Sequence, residues 1–199
     1  MKTDVYFCSL KNPEPMRAEM IAMCLNRWES VKGTNFRIIT DSLLNHSPRE
    51  FQRIRRIYPE WFRGESPEYI LTDDDMYLPE DFDLEAALKV FRRSGFSVMS
   101  LLPSNAVISR WTPEGYSPDI TEDWMEHYAS GGTRFCRRGY LPLYDRCWPP
   151  MGNGPGYDTV HGEAIRANGG KIGYFMKFKA EHLGEGLSTV WNQEKLNVG

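Results

Sequence analysis

No apolar run in the 199 residues approaches the roughly 20 residues needed to cross a bilayer, so no membrane span is expected. There is no Cys-x-x-Cys pair: Cys8, Cys24, Cys136 and Cys147 stand far apart. That excludes a zinc knuckle or dithiol redox motif and leaves buried free thiols as the expectation. Internal repeats, low-complexity tracts and linker-like stretches are missing as well, so a single domain over 1–199 is expected, large enough for a three-layer core without disulfide or metal staples. Net charge is small, −3 from 24 Lys and Arg against 27 Asp and Glu. Such a balance exerts no general pull on nucleic acid, and only the local pairs and clusters Arg53-Arg55-Arg56 and Arg137-Arg138 keep such a partner in view. The first residues, Met1 to Val5, run straight into strand-like sequence without a secretory leader, which points to a reducing cytoplasm.

What is present is ordinary globular composition with an excess of rings: six Trp and ten Tyr are more than a core of this size needs, so some are expected to face a ligand. Val5 to Leu10 reads as a buried first strand. A helix follows, with Pro15 in its first turn, Met16, Met20, Met23, Cys24 and Trp28 at helical spacing, and a stop at Gly33. Phe36 to Thr40 is a second strand closing on Asp41, and strand, helix, strand in this order predicts a parallel crossover. A second helix is expected from Pro48 to Arg63, with Phe51, Ile54, Ile57 and Tyr58 on one side. A third runs from about Asp81 to Arg93, capped by Asp81 or Asp83 and ended by Gly95. Phe96–Leu102 is a further strand. The alternation is that of an open α/β sheet, whose ligands bind beyond the carboxyl ends of the strands.

Residues 103–131 break this rhythm with Pro103, Pro113, Pro118 and the rings Trp111, Tyr116, Trp124 and Tyr128. A helix over Ile120–Ala129 is expected inside a segment that shapes a cleft. Glycines at 131 and 132 lead into a strand ending in Arg137-Arg138, and Lys171–Met176 is the last strand.

The chemistry concentrates where the apolar run Tyr69-Ile70-Leu71-Thr72 ends in Asp73-Asp74-Asp75, followed by Met76-Tyr77-Leu78-Pro79. Three adjacent carboxylates repel one another and oppose strand formation, so their use is an oxygen-rich site for Mg²⁺ or Mn²⁺. In extended chain Asp73 and Asp75 point one way and Asp74 the other. These residues resemble the Asp-x-Asp motif of nucleotide-sugar glycosyltransferases of the GT-A fold, family-2-like in type. Asp73 and Asp75 fill the acidic positions and Pro79 the closing one. The resemblance implies a three-layer α/β/α open mixed sheet in one domain, residues 1–102 binding the nucleotide sugar and 103–199 the acceptor.

Two later stretches extend the likeness. Met151-Gly152-Asn153-Gly154-Pro155-Gly156-Tyr157-Asp158 resembles the glycine-rich loop that delivers the catalytic carboxylate of inverting GT-A enzymes, with Asp158 at the matching position. The usual second acid is absent, since Thr159 stands there, so Glu163 remains a rival base. Asp158 as a plain cap of the helix from Thr159 to Ala167 remains open too. After the last strand His182 occupies the place of a late His that completes the metal's ligand set in several GT-A enzymes, whereas His46, His127 and His161 have no such context.

The resemblance implies transfer of a sugar from a nucleoside diphosphate, a UDP-sugar favoured, to a hydroxyl of a saccharide, lipid-linked sugar, protein or modified DNA base. Asp73, Asp75 and His182 are the candidate metal ligands. Asp73, Asp74 and Asp41 are candidates for ribose or base, Arg17 for the diphosphate, and Asp158 for the base of an inverting reaction. A sugar nucleotidyltransferase is the nearest alternative, but it normally carries a glycine-rich loop after the first strand, where this chain has Ser9-Leu10-Lys11-Asn12-Pro13-Glu14-Pro15. A calcium-dependent carbohydrate-binding module is the non-enzymatic alternative, and such modules are mostly all-β.

Overall fold

A computed structural model describes residues 2–10, 15–41, 64, 66–104, 120–127, 131–139 and 157–183. The expected helix over 48–63, the rings Trp111, Tyr116, Tyr128 and Trp148, Cys147, His46 and the glycine-rich loop 151–156 lie outside them, as do the side chains of Asp41, Asp158 and His161.

Strands β1 (Thr3–Leu10) and β2 (Thr34–Asp41) flank helix α1 (Pro15–Glu29) and pair in parallel, as the strand, helix, strand order predicts. Strand β3 (Glu68–Asp73) lies on the other side of β1, also parallel, with Cys8 opposite Asp73. After the short β4 (Met76–Tyr77) comes helix α2 (Leu84–Ser94), then β5 (Val98–Pro103), β6 (Trp124–Glu126), β7 (Arg134–Arg137), helix α3 (Tyr157–Ala167) and β8 (Ile172–His182). The sheet order is β2-β1-β3-β7-β5-β8-β4, with β6 added to β8. Strand β7 runs antiparallel between β3 and β5, and the short β4 and β6 run antiparallel to β8, so the carboxyl ends of β1, β2, β3, β5 and β8 share one edge.

Local chemistry accounts for the helix ends. Of the two candidate caps of α2 it is Asp83 that serves, its Oδ1 accepting from the Ala86 N–H at 3.0 Å. Gly95 ends the helix at φ 74°, a left-handed conformation that costs glycine nothing. One face of the sheet, Val5, Phe7, Ile70, Met99, Phe135 and Phe175, packs with Ile21, Cys24 and Trp28 of α1 and Leu84, Leu88 and Phe91 of α2 in a single core. The other face, with Tyr6, Tyr69, Leu71, Val98, Cys136 and Ile172, is buried as well. A sheet covered on both faces is what the three-layer expectation requires. The expected free thiols are present at Cys8, Cys24 and Cys136, the last two buried. Helices alternating with a mainly parallel sheet rule out the all-β carbohydrate module. Among the described residues no helix is long and apolar enough to cross a membrane.

Two expectations are corrected. Residues 120–126 form no helix: Ile120 bridges to Met125, Thr121 accepts from the Asp123 and Trp124 N–H groups through its hydroxyl, and β6 pairs antiparallel with β8. The hydroxyl-closed turn competes successfully with helix formation, as Ser and Thr side chains do. Strand β8 also does not stop at Met176 but runs on to His182. Its second half gains partners that sequence periodicity does not reveal, Lys179 and Ala180 opposite Leu102 and Pro103 of β5, and Glu181 and His182 opposite Tyr77 and Met76 of β4.

Candidate active site

At the carboxyl edge of the parallel strands β3 ends at Asp73, and the chain turns through Asp74 and Asp75 before β4. The expected strand alternation therefore fails. Asp74 and Asp75 do not face opposite ways, because one nitrogen of Arg17 reaches both, Nη2 lying 2.6 Å from Asp74 Oδ1 and 3.8 Å from Asp75 Oδ2. Arg17 sits in the first turn of α1, whose start faces this edge, and its guanidinium pairs with these carboxylates. Asp73 behaves differently. Its side chain is 45% exposed and lies 3.8 Å from the buried Arg134 guanidinium at the start of β7.

The turn is held from several sides. Leu183 donates its N–H to the Asp75 carbonyl at 2.9 Å, extending the β4–β8 pairing around the acid. Thr72 and Thr133 hydroxyls meet at 2.8 Å beneath it. Gly132 adopts φ 66°, a left-handed conformation that favours glycine, and a Cβ there would press on the Met76 side chain, 2.8 Å from its Cε, next to Asp75. Arg27, at the far end of α1, donates to the carbonyls of Leu78, Pro79 and Glu80 and fixes the chain leaving β4.

His182 closes the site from β8, with Nε2 3.2 Å from Asp75 Oδ2. Burial pushes the Asp75 carboxyl up. The hydrogen bond and charge of His182, and then the charge of Arg17, outweigh that and hold it below its ordinary 3.8. The other oxygen, Asp75 Oδ1, is buried without a hydrogen-bond partner. Native proteins rarely tolerate a buried charged oxygen left open, since the group then bears its full desolvation cost.

A divalent cation fits this observation. Asp75 Oδ1 and the His182 ring supply oxygen and nitrogen donors suited to Mn²⁺ or Mg²⁺. Among the described residues no three His, Cys, Asp or Glu side chains gather as a ready-made metal group. The expected trio of Asp73, Asp75 and His182 thus appears as a pair, with Asp73 drawn aside to Arg134. A pair suffices where substrate phosphates fill the remaining positions, as is usual for Mg²⁺.

The other expected site residues fall in three groups. Asp41 ends β2 opposite Leu10, on the same edge as Asp73. Asp158 is the second residue of α3, which begins at Tyr157 rather than Thr159, and Glu163 is exposed on the same helix. Trp124 and the Arg137-Arg138 pair belong to the framework. Trp124 packs edge-on against Phe96 and under Arg93. Arg137 donates to the Phe96 carbonyl and covers Phe91, while Arg138 donates to the Ser66 carbonyl and Asp4 and covers Tyr69. Arg134 and Arg27 were not expected in the site. The only sequence sign of Arg134 is its position just after the Gly131-Gly132 turn.

No protein-family model and no curated protein sequence matches the chain. Solved structures do resemble it. The CMP:2-keto-3-deoxy-manno-octonic acid synthetase complexed with CTP matches at TM-score 0.54 and 15% identity, over 100% of this chain and 98% of that one. A glycosyltransferase involved in glycosylation of the major capsid of PBCV-1 matches at 0.54 and 11%, over 100% of each chain. UDP-glucose pyrophosphorylase complexed with UDP-glucose matches at 0.53 and 9%, over 99% of this chain and 100% of that one. At such low identity the likeness is one of fold: the chain has the GT-A-like α/β architecture that these enzymes share.

Proposed function

We propose that the protein is a metal-dependent glycosyltransferase that moves a sugar from a nucleoside diphosphate, a UDP-sugar first, to an acceptor hydroxyl. One observation carries the reading: a buried carboxylate, Asp75, with one oxygen open and the other beside His182, at the edge where parallel α/β sheets receive ligands. A divalent ion bound there supplies Lewis-acid stabilisation of the negative charge that grows on the departing diphosphate. Asp75 and His182 would hold that charge-neutralising centre, and Asp73, exposed at the same edge, is the proposed further metal ligand or ribose contact. Asp41, across β1, is the partner for ribose or base, with Asp74 a second candidate.

The acceptor side belongs to residues 103–199. Asp158, following the 151–156 glycines, is the proposed general base, taking the acceptor proton as the hydroxyl attacks C1 from the face opposite the leaving group. Glu163 is its rival on α3. The acceptor class is a saccharide or other hydroxyl compound. Arg137 and Arg138 are engaged in framework contacts, which leaves Arg53-Arg55-Arg56, outside the described residues, as the basic cluster for a modified DNA acceptor.

A sugar nucleotidyltransferase is the second reading, favoured by the fold shared with the CTP-bound synthetase and the pyrophosphorylase and opposed by the glycine-free sequence Ser9–Pro15. One experiment separates them. With Mn²⁺, nucleoside diphosphate should be released slowly from a panel of nucleotide sugars, and no pyrophosphate should form from nucleoside triphosphates plus sugar phosphates. The reverse pattern assigns the second reading, and silence in both arms discards both. Asp158→Asn should lower turnover roughly 10²–10⁴-fold with donor binding nearly intact. Glu163→Gln should leave turnover near that of the parent, and an exchange of these two results would make Glu163 the base.

A further inference from the structure

Arg17 presents a difficulty for any cation at this turn. Its guanidinium is 13% exposed and lies against Asp74, whose side chain is 4% exposed, and beside Asp75, whose side chain is 7% exposed. The residue thus brings a permanent positive charge within 3.8 Å of the carboxylate whose second oxygen is open. Two buried carboxylates adjacent in sequence would repel each other strongly without it. With it, the turn can form before any metal arrives, but an incoming divalent ion meets a fixed charge of its own sign.

We propose that Arg17 is a resident counter-cation of the acidic turn, which keeps divalent-metal affinity low in the free protein and so makes metal binding depend on the negative charge delivered with a nucleoside diphosphate. This inference rests on the metal reading given above. Arg17 is a positioning and affinity-setting residue, acting through Asp74 and Asp75 on the metal. The electrostatics are simple. A diphosphate adds at least two negative charges at the strand edge, so the repulsion between Arg17 and the ion is offset only in the ternary state. Metal and nucleotide then bind with positive coupling that must be reciprocal.

The test is the affinity for Mn²⁺ alone and with UDP, read by electron paramagnetic resonance of free Mn²⁺ or by calorimetry on the whole chain, with circular dichroism to establish folding. Arg17→Gln should tighten Mn²⁺ binding to the free protein by roughly tenfold or more, since a unit charge a few ångströms from a divalent ion is strong even at an effective dielectric constant near 20. The enhancement of Mn²⁺ affinity by UDP should shrink by a similar factor. Arg17→Lys, which keeps the charge, should bind Mn²⁺ within a few-fold of the parent.

If Arg17→Gln does not fold, a second comparison serves. Asp74→Asn should weaken Mn²⁺ binding about tenfold, and the double variant Arg17→Gln/Asp74→Asn, an uncharged pair, should recover it. Recovery supports the inference, whereas a double variant as weak as Asp74→Asn overturns it. Parent protein that binds Mn²⁺, loses it on Asp75→Asn and shows no change on Arg17→Gln overturns the counter-cation role while the metal reading stands. Parent protein that binds no Mn²⁺ with or without UDP overturns both.

Discussion

The two edges of the sheet handle buried charge in opposite ways. At the amino edge both oxygens of the buried Asp4 and Glu68 are used. Asp4 Oδ1 accepts from Asn35 at 2.8 Å and Oδ2 from Arg138 at 2.7 Å. Glu68 takes the Arg92 guanidinium on both oxygens, at 2.9, 3.0 and 2.7 Å. These bonds tie β1 to β2 and to the residue that follows β7, and β3 to the end of α2. At the carboxyl edge Asp75 is buried as deeply, yet one of its oxygens is open, a histidine faces the other, and an arginine is shared with its neighbour. Buried ions of equal depth thus differ in saturation. Closed pairs carry structure, and the open one is where the proposed ligand would complete the set.

The contrast can be broken by single substitutions. The largest effect is expected from Asp75→Asn. Metal-dependent release of nucleoside diphosphate should fall by about 10³-fold or more, because several kcal/mol of charge stabilisation are removed, while the far-ultraviolet circular dichroism is unchanged. Activity retained in that variant would place the chemistry elsewhere. At the other edge Asp4→Ala should reverse the pattern. Loss of the partner of Arg138 should cost about 2–3 kcal/mol of stability in urea unfolding, with Mn²⁺ affinity in the folded protein unaltered. A shift in that affinity would show the two edges to be coupled.

Smaller effects sharpen the picture. Asp83→Ala, which removes the cap of α2, should lower stability by about 1 kcal/mol and leave both edges intact. Acid titration gives a last comparison. The folded carboxyl of Asp75 lies below its ordinary 3.8, so it adds stability that is complete above that value and is lost as pH falls through the lower folded value. Asp75→Asn should therefore show a shallower stability loss below about pH 4 than the parent, measured by urea midpoints at stepped pH. Equal slopes would mean that His182 and Arg17 do not hold the charged form.

Much of the carboxyl edge was legible in the chain. Apolar runs placed β1, β2, β3, β5 and β7. Asp83 and Gly95 announced the ends of α2 through chemistry that acts within one turn. Asp73 to Asp75 and His182 were singled out, and they do converge on one edge. What could not be read was how the acids divide among partners. The alternation rule failed as soon as β3 ended at Asp73, and the two buried acids came to share Arg17, 57 positions from Asp74 in the chain. Arg134 and the second half of β8 escaped notice for the same reason, since their partners come from distant strands. The 120–126 turn is set by the single Thr121 hydroxyl, which accepts from two backbone N–H groups, and by pairing with the distant β8, neither of which has a periodic sequence signature.

Local physics therefore settled the kinds of element, their ends and the identity of the acids, because hydrophobic period, capping and glycine conformations act over a few residues. Tertiary structure alone decided which carboxylate is saturated and which is open. Burial and ion pairing depend on groups brought within about 4 Å from far apart in the chain, and the energy of a buried charge is set by those neighbours rather than by its own sequence surroundings.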